Sequence, residues 1–157
     1  MGKKPYEKRT DLEKCKSQWR KLRGLHSREE WSAAIVRAAT AAEIAANHAI
    51  RTEFAKQGRV QADCVDSFLR WANGLAGKMD RLLVPLTKKT NKAKTIATLK
   101  GLASKINDTR NAVVHRGEFR NEDQASETIA KTKRFIEGLV GLYEPTFRLH
   151  EKKVSRH

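Results

Sequence analysis

The sequence predicts an all-α fold: an up-and-down bundle of four main helices with an additional helix at the N-terminus. Three observations predict it. Apolar residues recur at spacings of three and four over long stretches, as one face of a helix requires. Ala, Leu, Lys, Arg and Glu fill those stretches, while the β-branched and aromatic alternation of strands is scarce. Only three prolines occur in 157 residues. That length suits one domain with a core large enough to need no staples.

Residues 1–9 read as a disordered basic leader, followed by a short charged helix from Thr10 to about Leu25 with Leu12, Cys15, Trp19 and Leu22 on one side. Residues 1–26 are therefore assigned to a basic N-terminal extension outside the bundle. Ser27-Arg28-Glu29-Glu30 reads as a capping box, with the Ser27 hydroxyl taking an orphan amide and Glu30 reaching back. The first long helix is expected to start there and run to about Gln57, where Gly58 stops it. Its inward stripe of Trp31, Ile35, Ala38, Ala42, Ala45 and Ala49 is mostly small, which implies close helix approach.

A second helix is expected from about Ala62, carrying Val65, Phe68, Leu69, Ala72, Leu75, Met79, Leu82 and Leu83, weakened by Gly74 and Gly77 and stopped by Pro85. A lysine-rich loop over 86–91 leads to a third helix with Ile96, Leu99, Leu102 and Ile106 inward. Asn107 and Asp108 resemble a break and a fresh N-cap, making 109–116 a separate short helix or the bent end of the third. The last long helix runs from about Glu122 to Tyr143, with acids in its first turn and Ile129, Phe135, Ile136, Leu139 and Leu142 inward, and ends before Pro145. Residues 27–145 thus form the bundle and 146–157 a basic, loose tail.

The formal net charge is +15, which argues for a polyanionic partner. Residues 1–24 hold nine Lys or Arg against three acids, and residues 85–100 hold Lys88, Lys89, Lys92, Lys94 and Lys100 with no acid. The apolar faces are rich in Ala rather than in the Trp, Phe and Leu that enter a membrane interface, so nucleic acid is the better partner and no membrane is expected. Cys15 and Cys64 lack any metal-ligand or disulfide spacing, which fits a reducing compartment, and no apolar leader or membrane span is present. A cytoplasmic location without metal or other cofactor is the expectation.

One segment carries residues suited to chemistry. Arg110-Asn111-Ala112-Val113-Val114-His115 brings a guanidinium, an amide and an imidazole within about two helical turns, followed by Arg116 and Gly117. A guanidinium can hold phosphate oxygens with parallel hydrogen bonds, and an imidazole exchanges protons near neutral pH. Asn111 and His115, four apart, stack on one face, whereas Arg110 stands about 140° around the helix from His115 and about 7.5 Å along it. One copy therefore looks incomplete, and a two-fold axis would supply the second imidazole that phosphodiester cleavage uses. A purely structural account would instead pair Arg110 with Asp108 or Glu118 and leave His115 to the helix dipole.

In its motif, of the form RNxxxH, and in its position just before the last long helix of a small helical chain, this segment resembles the HEPN domains (higher eukaryotes and prokaryotes nucleotide-binding). The architectural resemblance covers roughly residues 27–145. It implies a HEPN-like bundle, a homodimer whose paired motifs line a cleft, and metal-independent RNA cleavage that leaves a cyclic phosphate and a 5′-hydroxyl. It assigns Arg110, Asn111 and His115 to catalysis. It also implies an antitoxin or nucleotidyltransferase partner, as in a toxin or defence component. Many members bind RNA, nucleotide or protein without turnover, and that is the alternative.

Further candidates support this reading. Lys88, Lys89, Lys92, Lys94 and Arg116 are expected to hold the RNA backbone. Glu43 and Asn47, four apart on the Ala-rich helix, are expected as supporting polar groups toward the cleft. The other histidines lack any catalytic or metal spacing. Trp19, Trp31 and Trp71 fall on apolar helical positions and read as core, since base-stacking platforms are exposed and interleaved with basic residues.

Overall fold

The computed structural model describes residues 4–149. Its regular structure among these residues is helical throughout. A 3-10 turn, Tyr6–Lys8, precedes helices α1 (Asp11–Ser27), α2 (Trp31–Gln57) and α3 (Ala62–Trp71). Next comes α4, a composite of Leu75–Gly77, a π-helical turn Lys78–Leu83 and Val84–Thr87; α5 (Ala93–Arg116) and α6 (Glu122–Val140) complete the bundle.

Two reciprocal caps fix helix starts. The Thr10 hydroxyl accepts from the Glu13 amide while the Glu13 carboxylate takes the Thr10 amide, and Asn121 and Gln124 repeat the arrangement at α6. The capping box expected at Ser27 does not form. α1 runs two residues past Leu25, so Ser27 is still helical and its hydroxyl donates to the Arg23 carbonyl at 3.0 Å. The chain turns instead at Glu29, whose φ of 61° is left-handed, and Arg28 pairs with Glu30.

α2 is the central helix. It packs against α1, α5, α6 and the α3–α4 segment, and a helix contacted on every side must be apolar nearly all round. Hence alanines 34, 38, 39, 41, 42, 45, 46 and 49 are all buried, more than the single expected stripe. Small side chains let the neighbours come close, and α1 is the principal beneficiary: Cys15, Trp19 and Leu22 are buried in the same core as α2 and α6. The segment set apart as an extension is thus part of the core. Tyr6 is held as well, its hydroxyl accepting from Gln18 Nε2 at 2.8 Å, while residues 1–3 of the leader lie outside the described residues. At the other end Phe147 and Leu149 are buried; residues 150–157 of the tail lie outside the described residues.

The single helix expected over 62–83 is two. α3 ends at Trp71, and Gly74 takes a φ of 83° that starts α4 in a new direction. Pro85 does not stop α4. Proline lacks an N–H and crowds the carbonyl four residues back, and the wider π turn just before it relieves that crowding. The Val84 amide accordingly reaches the Met79 carbonyl, five residues back, and helix continues to Thr87. No break occurs at Asn107 or Asp108: α5 is continuous over 24 residues. α5 runs antiparallel to α2, since Lys92 meets Glu53 at one end and the Arg120 amide donates to Ser32 Oγ at the other.

Candidate functional site

The C-terminal end of α5 presents the RNxxxH segment. Gly117, at φ 64°, ends the helix, and the Glu118 amide returns to the Ala112 carbonyl at 3.1 Å, pinning the last turn. Ala112 is buried and anchors that turn, so the residues around it face outward in a fixed order. Asp108, Asn111, His115 and Arg116 line an open depression of about 500 Å³. Positions 108, 111 and 115 are three and four apart, one helix face. From sequence Asp108 reads as a cap or as a partner for Arg110; its spacing to Asn111 and His115 is the signal that places it here.

Arg110 stands beside this depression and does not line it, as a rotation of about 140° from His115 dictates. It is half-buried, and its Nη1 donates to Asn111 Oδ1 at 3.3 Å. Of the two carboxylates that a purely structural Arg110 would pair with, Glu118 is taken by other arginines. Glu118 is held by Arg116 at 3.3 Å and by Arg120 at 2.9 Å. His115 and Arg116 are exposed, as are the neighbouring apolar residues Val114 (44%) and Phe119 (93%). A phenylalanine left almost wholly in water beside a histidine and two arginines marks a surface of interest.

The lysines do not join this site. Lys94 and His115 are separated by 21 positions of one straight helix, about 31 Å. Lys88, Lys89 and Lys94 are exposed at the far end of α5. Lys92 is not an RNA-facing lysine. Its ammonium lies 3.1 Å from Glu53 Oε1, where Glu53 is 5% exposed and also accepts from the Tyr143 hydroxyl at 2.8 Å. Burial, with this bond to Glu53, raises the Tyr143 phenol well above its usual range. A carboxylate taken out of water requires such partners, and Lys92 is one of them.

Glu43 and Asn47 also lie elsewhere. Glu43 pairs at 2.5 Å with Lys78, a buried lysine of the π turn. Asn47 lines a second depression of about 270 Å³ with Arg51, Asp66, Leu69, Arg70, Asn73 and Lys78, and its Oδ1 is buried with no hydrogen-bond partner among the described residues. Arg51 bridges Asp11 and Asp66 there, and its hydrogen bond holds the Asp66 carboxyl below the usual range.

Of the three tryptophans, only Trp19 is buried in the core; Trp31 is half-buried edge-on to His26 at 5.0 Å. Trp71 is 62% exposed, because α3 ends on it and α4 departs at Gly74. The Arg81 guanidinium lies over its ring, 5.3 Å from the centroid. Among the described residues, no group of three or more His, Cys, Asp or Glu is placed to hold a metal ion, and no helix is long and apolar enough to cross a membrane. Compared with protein-family models, curated proteins and solved structures, the chain matches none.

Proposed function

We propose that the chain is a HEPN-like endoribonuclease acting as a homodimer through Arg110, Asn111 and His115. The observation that carries this reading is the open depression at the end of α5, in which exposed His115 stands with Asn111 and Arg116 while Arg110 is tethered alongside by Asn111. A basic chain supplies the attraction for RNA. Exposed Val114 and Phe119 supply apolar area beside the motif for a second copy.

In this reaction the ribose 2′-oxygen attacks phosphorus and the bond from phosphorus to the 5′-oxygen breaks, leaving a cyclic phosphate and a 5′-hydroxyl. One imidazole takes the 2′-hydroxyl proton and the other gives a proton to the leaving oxygen, one from each copy. Arg110 stabilises the charge that grows on the equatorial oxygens, and Asn111 orients the phosphate. Incubation of the purified protein with RNA in chelator should yield cyclic-phosphate ends. His115→Ala should abolish cleavage and leave the circular dichroism and melting curve unchanged, because His115 is exposed. Undiminished cleavage by that variant, or full activity from a strict monomer, overturns the proposal.

The alternative is a module of the same fold that holds RNA, nucleotide or a protein partner, an antitoxin or nucleotidyltransferase included, without cutting. The observation in its favour is that Arg110 stands off the depression that Asn111 and His115 line. RNA binding that survives His115→Ala, with no cleavage by either protein, selects it.

A further inference from the structure

We infer that the exposed face of α3 and α4 is a second nucleic-acid subsite, one that seats an unpaired nucleotide of a single strand. It is remote from His115 in the chain and does not depend on turnover there. Two observations meet on this face. Phe68 and Trp71, three apart on α3, are both exposed, at 38% and 62%. Aromatic side chains of this size are normally the first to be buried, and here the fold leaves Trp71 largely in water and Phe68 partly so.

The rings are interleaved with cations. Arg81 lies over the Trp71 ring, and Arg70, exposed on the adjoining position, turns its guanidinium to Ser67 Oγ at 3.2 Å. Rings for base faces alternating with guanidinium groups for phosphates are what a single strand needs and what a duplex cannot use, since paired bases hide their faces. Arg81 covers part of the indole, and Phe68 leans on Phe54 with centroids 5.6 Å apart.

The base face is therefore taken by Trp71 and the phosphate by Arg70.

The test uses the full chain and a short 2′-O-methyl oligouridylate, which has no free 2′-hydroxyl to attack, so binding is read independently of cleavage. Fluorescence anisotropy at low salt should give binding, with quenching of tryptophan emission, and a duplex of equal length should not quench. Trp71→Ala should weaken binding about five-fold or more, the loss of one stacked base. Trp71→Phe should keep most of the affinity and lose the quench. Arg70→Ala should lower the slope of log affinity against log salt by about one. Ser104→Ala, an exposed change on α5, should alter none of these. Absence of binding, equal affinity of Trp71→Ala with an unchanged melting curve, or equal quenching by the duplex overturns the subsite; cleavage lost in His115→Ala with this binding intact leaves both proposals standing.

Discussion

Lys92 offers the sharpest separation between a lysine that serves RNA and one that serves the fold. The side chain of Glu53 is 6% exposed and that of Lys92 16%, and their charged atoms are 3.1 Å apart. Removing one member of a wholly buried pair costs about 3–5 kcal/mol, whereas surface pairs are worth about 0–1 kcal/mol. Here the Tyr143 hydroxyl stays on Glu53 and some water reaches the ammonium, so Lys92→Met should cost about 2 kcal/mol. For a chain of this size that lowers Tm by roughly 4–8 °C. Thermal melts followed by far-UV circular dichroism measure it, with Lys88→Ala and Lys89→Ala as exposed controls that should stay within about 0.5 kcal/mol of the parent. The double variant Glu53→Gln/Lys92→Met should recover most of the loss, because the stranded carboxylate is gone. The bond from Glu53 also holds the Lys92 ammonium above the usual lysine range, so this contribution is complete below that range and fades as pH rises through the higher native value. An unchanged Tm for Lys92→Met, together with weakened RNA binding, would refute the structural role and return Lys92 to the phosphate contacts.

Three further outcomes follow from single residues. Burial depresses the His48 imidazole, whose Nε2 has no hydrogen-bond partner among the described residues. The unfolded chain therefore takes up a proton first, and stability present above about pH 6.5 is lost as pH falls through the lower native value; urea melts should show a loss that His48→Gln removes. Cys15 is buried, its thiol donates to the Ala41 carbonyl at 3.5 Å and burial pushes it up to about 12, whereas Cys64 is exposed. A thiol reagent should then label one cysteine in the native protein and two in denaturant, and two native labels would contradict the packing of α1. Gly117→Ala should cost about 1–2 kcal/mol because of its left-handed φ, visible as a fall in Tm of roughly 2–8 °C, although a Cβ there would meet nothing within 4 Å.

Local signals were readable wherever one residue type decides the outcome. Gly58 and Gly117 end helices with left-handed φ, the acids Glu122 and Asp123 open α6, and the alanines of α2 announce a crowded helix. The order Asp108, Asn111, His115 on one face also follows from spacing alone. What sequence could not decide is which of two sufficient partners a group takes. Ser27 suits a cap, yet α1 has enough apolar contact through Cys15, Trp19 and Leu22 to carry helix past it. Lys92 looks like its exposed neighbours until Glu53, 39 positions away, claims it. Trp71 has the spacing of a core residue but sits where the chain leaves the helix, and nothing local says that the following turn faces away from the core. Charge misled at α1 for a related reason, since long basic side chains cover one face of a helix whose other face is buried.

The distribution of acids leaves the surplus of cations in separate patches. Asp11 and Asp66 hold Arg51, Glu43 holds Lys78, Glu53 holds Lys92, Asp80 holds Lys100, and Glu118 holds both Arg116 and Arg120. Two of those cations, Lys78 and Lys92, are largely removed from water, so their carboxylates serve burial rather than surface neutrality. Lys88, Lys89 and Lys94 at the start of α5 and Arg70 with Arg81 around Trp71 are left facing solvent. These patches and the His115 depression occupy separate regions, with the lysines about 31 Å along α5 from His115. A single strand reaching from one to another would meet a cation or a ring at each stage, and its affinity would fall with salt through the exposed cations alone, because the paired ones release no counterions on binding.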